Sequence, residues 1–94
     1  MLESAIEKKV TTFGSLRGWL SYKFTSPNRR GVPDRIYMRD GKTVFIEFKQ
    51  KGKKPTKLQE KHHRLIREHG GNVYVIDGVE EGKDLFRMYD GERV

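Results

Sequence analysis

Cysteine is absent from this 94-residue sequence, which excludes disulfide bonds and thiolate metal sites and favours an intracellular setting. Long apolar runs are also absent. No stretch approaches the ~20 residues needed to cross a bilayer. The opening Met1-Leu2-Glu3-Ser4 carries no apolar signal region, so a soluble, untargeted protein is expected. No internal repeat, low-complexity tract or linker marks a second domain, and a single domain over residues 1–94 is expected. Apolar residues make up 34% of the chain. That suffices for one modest core, and a domain of this size often gains support from a partner subunit. Acid is the scarcer charge: 13 Asp and Glu stand against 20 Lys and Arg, for a net charge of +7. A basic surface of this kind either attracts polyanions, nucleic acid foremost, or serves solubility alone. A membrane surface is disfavoured, because no basic amphipathic helix with an exposed apolar face is present.

Periodicity orders the chain. Leu2, Ile6, Val10 and Phe13 form a helical stripe that Gly14 and Gly18 end or follow. Trp19 to Thr25 alternates as a strand, and the turn residues of Ser26 to Gly31 predict a loop. Asp34 to Arg39 and Lys42 to Lys49 read as strands of a hairpin joined by Asp40-Gly41. A basic loop, Gln50 to Pro55, leads to a helix over Thr56 to His69, with Leu58, Leu65 and Ile66 facing inward and Gly70-Gly71 as its stop. Asn72 to Asp77 is a nearly continuous apolar run and predicts a buried strand. Glu80 to Tyr89 predicts a short final helix. The order α-β-β-β-α-β-α, with a helical crossover before the last strand, predicts a small α/β domain with a mixed sheet flanked by helices.

The hairpin carries the chemistry. A two-residue loop at Asp40-Gly41 pairs Arg39 with Lys42 and sets Asp34 opposite Glu47, with Cβ atoms ~4.5–5.5 Å apart. A four-residue loop keeps that register, whereas three or five residues break it. Opposed like charges are destabilising, and their neighbours on that face, Ile36 and Phe45, imply partial burial. Such a pair needs a shared proton or a cation. Oxygen ligands at this separation suit Mg²⁺ or Mn²⁺, and the backbone carbonyl of Phe48 can add another. Lys49 points to the same face as Glu47, ~6.6–7 Å further along. A cation, two carboxylates and a lysine form a coherent set for cleaving phosphodiesters. The bland alternative is an ordinary hairpin with solvent-facing Asp, Glu and Lys.

Pro33-Asp34 followed by Glu47-Phe48-Lys49 resembles the motif of the PD-(D/E)XK nucleases. The fuller pattern Gly31-Val32-Pro33-Asp34, Glu47-x-Lys49 and Gln59 on the next helix resembles the virus-type replication-repair nuclease (VRR-NUC) family, over nearly the whole chain. The resemblance implies a restriction-endonuclease-like core and divalent-metal-dependent hydrolysis of DNA. In it Asp34 and Glu47 are metal ligands and Lys49 assists catalysis. Members occur in bacteriophages, in bacteria and as a domain of a eukaryotic repair nuclease. Short members resemble dimeric archaeal four-way-junction resolvases, so the resemblance implies a homodimer acting on branched DNA in the cytoplasm of a bacterium or phage-infected cell.

The family pattern also places a glutamate on the first helix. Glu3 matches that position better than Glu7, which shares its helix face, and the resemblance implies that it completes the metal site directly or through a water; the alternative for both is favourable charge near a helix N-terminus. Gln59 has two competing roles. Thr56-Lys57-Leu58-Gln59 reads as a capping box, and one side chain is not expected to serve both the cap and the active site fully. Lys23 and Ser26 resemble positions near the scissile phosphate. Arg29 and Arg30, with Lys51, Lys53, Lys54 and Lys57, are candidate phosphate contacts, salt-sensitive and blind to sequence. His62, His63 and His69 lack ligand spacing and are expected at the surface or core edge. Trp19 and Tyr22 are expected in the core or a dimer interface. The rivals are a flap nuclease, a non-catalytic basic DNA-binding module, a ribonuclease and a restriction enzyme; so short a chain has little room for the base-reading appendage of the last.

Overall fold

In a computed structural model that describes residues 1–92, the chain runs α1 (Glu3–Leu16), β1 (Leu20–Lys23), β2 (Arg35–Arg39), β3 (Lys42–Phe48), α2 (Lys57–Glu68), β4 (Asn72–Ile76) and α3 (Val79–Tyr89). The four strands lie side by side in sequence order. β1, β2 and β3 are antiparallel, and β4 joins β3 in parallel. A parallel neighbour cannot be reached through a tight turn, so α2 serves as the crossover. This is the mixed sheet and element order that the pattern predicts.

The turn that sets the register is a two-residue one. Asp40 and Gly41 both have positive φ, 49° and 78°, as a type I′ hairpin requires, and Asp and Gly are residues that tolerate it. Arg39 therefore pairs with Lys42, and the register holds through Arg35 and Ile46.

Alternation along β3 divides the sheet between two layers. Val44, Ile46 and Phe48 join Tyr37, Ile76 and the helices α1 and α3 in one buried cluster. Phe45, Glu47 and Lys49 take the other face, with α2. α1 and α3 cross closely at Gly82, where an added Cβ would stand 2.4 Å from Val10 Cγ2. Fully buried Phe86 packs against Trp19 and Tyr37 at centroid distances of 5.1 Å each, a burial worth roughly 1.5–3 kcal/mol for such a side chain. Asp90 closes the layer, accepting bonds from Arg17 Nε (2.8 Å), Trp19 Nε1 (3.1 Å) and Arg39 Nη1 (2.7 Å).

Several boundaries and faces differ from the sequence expectation. Gly14 does not end α1: it lies inside the helix, where a Cβ would meet Phe86 at 3.0 Å. Leu2 leaves the stripe, 64% exposed at the N-cap. β1 spans only Leu20–Lys23, and Trp19 just before it is in the core. On α2, Leu58 is 43% exposed rather than inward, and the buried residue is His63. The helix turns its face toward a buried carboxylate, which apolar periodicity cannot anticipate. Among the described residues no helix is long and apolar enough to cross a membrane.

Candidate active site

Asp34 is the last residue before β2, tied by its carbonyl on one side and by its carboxylate on the other. Its carbonyl accepts from Phe24 N at 2.9 Å, extending the β1–β2 ladder by one step. The loop before it must pass tight against α2. Gly31 has φ +87° there, and an added Cβ would lie 3.0 Å from the Leu58 carbonyl oxygen. Pro33 follows, fully buried. The Asp34 carboxylate then turns to β3, where Oδ2 accepts from the Phe48 backbone N–H at 2.7 Å. The Phe48 side chain itself is in the core.

Continuing the β2–β3 register one residue beyond Arg35–Ile46 brings Asp34 opposite Glu47. Glu47 is 2% exposed. Its Oε2 accepts from Gln59 Nε2 at 3.2 Å and lies 3.9 Å from Lys49 Nζ. Its Oε1 is buried without a hydrogen-bond partner. Lys49 is fixed at its backbone, where its N–H donates to Ile76 O at 2.9 Å, continuing the parallel ladder.

Gln59 resolves its two competing roles by dividing them. Oε1 accepts from Thr56 N at 2.9 Å while the Thr56 hydroxyl accepts from Gln59 N at 3.1 Å, completing the capping box. Nε2 is left to donate to Glu47. The expectation that one side chain cannot serve both is thus corrected, because the amide has separate acceptor and donor ends.

The electrostatics are those of crowded acid. The Asp34 carboxyl is pushed up to about 6, first by burial and then by the charges of Glu47, Glu7 and Glu3, against the opposing Phe48 N–H. For Glu7, burial pulls the carboxyl up, but hydrogen bonds from Lys23 and Arg35 outweigh it and hold the group below its usual range. Those contacts are short: Arg35 Nε at 2.6 Å and Lys23 Nζ at 2.7 Å. Glu3 is exposed on the first turn of α1, near enough for its charge to reach Asp34.

Because an acid with a raised folded-state pKa binds its proton more tightly in the fold, Asp34 opposes folding once ionised. In chelator, the stability of the wild type relative to Asp34→Asn is expected to fall between about pH 4 and pH 6 and to level off above. Asn keeps an acceptor oxygen for the Phe48 N–H. Thermal melts of both proteins across that range measure this, and a pH-independent difference would contradict it.

The remaining sequence candidates lie around this centre. Lys23 is engaged by Glu7, and Ser26, half-buried, accepts the Arg29 N–H at its carbonyl at 3.2 Å. Arg29, Arg30, Lys51, Lys53, Lys54 and Lys57 are exposed. The lysine loop is folded back at Gly52, whose N–H donates to Asp77 Oδ2 at 2.9 Å. Among the described residues no His, Asp or Glu trio converges into a ready-made metal cage. His63 is the site neighbour that sequence reasoning passed over. It is 1% exposed, with Nε2 3.9 Å from Glu47 Oε1. The available signal was its spacing: it stands one helical turn after Gln59 and so shares its face.

The chain is similar to known proteins in sequence and in fold. No family model matches the chain. A protein of Acyrthosiphon pisum secondary endosymbiont phage 1 named "Putative nuclease p44" is 42% identical over 76 residues, covering 80% of this chain and 82% of its own length. A solved structure described as a VRR_NUC domain superposes with a TM-score of 0.85 at 27% identity, covering 93% of this chain and 96% of that one. The Asp34–Glu47–Lys49 hairpin thus stands in a fold shared across almost its whole length with that domain, and the chain belongs to the VRR-NUC family of PD-(D/E)XK nucleases.

Proposed function

We propose that the chain is a divalent-metal-dependent endonuclease hydrolysing phosphodiester bonds in DNA, with Asp34 and Glu47 as cation ligands and Lys49 as the catalytic cation. One observation carries the reading: Asp34 and Glu47 face each other at the end of the sheet, where burial first and the facing Glu47 charge second push Asp34 up to about 6, with Lys49 alongside. Nothing in the packing of an ordinary hairpin rewards that arrangement. The donor set fits a hard cation, since two carboxylates stand together at the strand end and the Phe48 backbone is at hand for a further oxygen. Mg²⁺ and Mn²⁺ suit it, because such ions keep several waters and need no full protein cage. When bound, the cation supplies Lewis acidity toward the phosphate and acidifies a water.

The chain's own residues do the rest. The Phe48 N–H and the Gln59 amide hold the two carboxylates in place. Lys49 Nζ orients the attacking water or stabilises the charge that grows on the phosphate oxygens. Glu3, exposed on the first turn of α1, would complete the cation's oxygen set directly or through a water, whereas Glu7 is committed to Lys23 and Arg35. Arg29 and Arg30 precede the acid on its loop, and Lys51, Lys53, Lys54 and Lys57 follow the catalytic lysine. These exposed cations, with Lys23 and Ser26, grip the sugar-phosphate backbone without reading bases.

The preferred substrate is branched DNA, a four-way junction, engaged by a homodimer whose two sites match the two-fold substrate. Leu20 and Tyr22, 52% and 56% exposed on the edge strand β1, support such an association. The phage relative supports action in the cytoplasm of a bacterium or phage-infected cell. Purified protein is tested on junction, flap and linear duplex DNA, with Mg²⁺ or Mn²⁺ and with EDTA. Metal-dependent cleavage with the junction preferred is expected. A flap preference transfers the reading to flap cleavage, and inactivity on all three with metal present defeats the enzyme.

A further inference from the structure

We infer that His63 is a positioning residue for Glu47: its Nε2–H donates to Glu47 Oε1 and, with Gln59, clamps the carboxylate from one turn of α2. The inference rests on the reading of Glu47 as a cation ligand. Three observations lead to it. First, among the described residues His63 and Glu47 are the two buried polar ones, 1% and 2% exposed. Second, among the described residues the buried side-chain atoms left without a hydrogen-bond partner are Glu47 Oε1 and His63 Nε2, and these two atoms face each other at 3.9 Å. A relative shift of about 1 Å brings them to the distance of an ordinary N–H···O bond and satisfies both at once. Third, Gln59 on the same helix face already donates to the other oxygen, Oε2, at 3.2 Å.

The arrangement addresses one oxygen from each of two residues spaced by a helical turn. A carboxylate offers about four acceptor sites. Donors from α2 therefore fix the orientation of Glu47 and leave lone pairs on the Asp34 side for a cation. Gln59 itself is locked by the cap at Thr56, and His63 by complete burial, so the clamp is preorganised by the helix rather than by the ligand. Partners of this kind, once removed, typically weaken metal binding by ~10–100-fold.

The test uses three proteins without DNA: wild type, His63→Leu, which keeps the bulk and loses Nε2, and His63→Gln, which keeps an N–H at similar reach. Long-range ¹H–¹⁵N NMR of the metal-free wild type reads which ring nitrogen of His63 carries a proton, and calorimetry measures Mn²⁺ affinity. A proton on Nε2 is expected, with Mn²⁺ bound ~10–100-fold more weakly by the Leu variant and near wild-type affinity in the Gln variant. A bare Nε2 overturns the inference, as does wild-type affinity in His63→Leu. Should the Leu variant not fold, the NMR measurement decides alone. A wild type that binds no Mn²⁺ refutes the cation reading of the site, while the proton position still judges the His63–Glu47 contact separately.

Discussion

Replacing Glu47 by glutamine is expected to cut cleavage by at least about 10³-fold while leaving the metal-free protein as stable as the wild type or more so. The two effects have one cause. Glu47 is buried at 2% exposure opposite a second acid, with one oxygen lacking a partner. Burying a charged group costs free energy unless it is paired and hydrogen-bonded, and a neutral amide of the same shape avoids much of that cost. Glutamine keeps the size and an oxygen for the Gln59 amide, so packing is conserved. It lacks the charge that holds a hard cation. Single-turnover cleavage with Mg²⁺, beside melting curves in EDTA at pH 7, measures both effects. Activity within tenfold of wild type would remove Glu47 from the chemistry. A large loss of metal-free stability would make it a structural residue.

Lys49→Ala is expected to separate binding from turnover. Removing one preorganised donor to developing charge typically costs ~10²–10³ in rate. DNA affinity in EDTA is expected to stay within about threefold, because on the proposed reading the sequence-independent attraction falls to Arg29, Arg30, Lys51, Lys53, Lys54 and Lys57, all exposed. Lys49 is only partly accessible, with 14% of its side chain exposed and its Nζ 3.9 Å from Glu47 Oε2, so it contributes little to that outer surface. Lys49→Arg is expected to recover little, since a planar fork does not replace a compact ammonium in a confined site. Fluorescence anisotropy and single-turnover rates separate the two quantities. Equal losses in both would make Lys49 a binding residue.

A few local choices already made the centre legible in the sequence. Asp40-Gly41 dictates a two-residue hairpin because both positions accept positive φ, and strand periodicity then carries the register back to Asp34 and Glu47 and places Lys49 on the face of Glu47. The element order follows in the same way from apolar period and turn residues. These signals are local: each depends on neighbours within a few positions along the chain.

What only the tertiary structure decided is which groups from distant segments share one small volume. Apolar periodicity turned α2 by Leu58, Leu65 and Ile66, yet the helix buries His63, whose Nε2 lies 3.9 Å from a carboxylate brought by another strand. Glu7 is drawn to Arg35 and Lys23, leaving Glu3 exposed, a division between two glutamates on one helix face that their spacing cannot express. Gln59 reaches both the cap and Glu47 only because β3 passes within range of its amide nitrogen. Sequence determines backbone conformation through local sterics and period; long-range packing alone determines which polar atoms meet, and how far each is withdrawn from water.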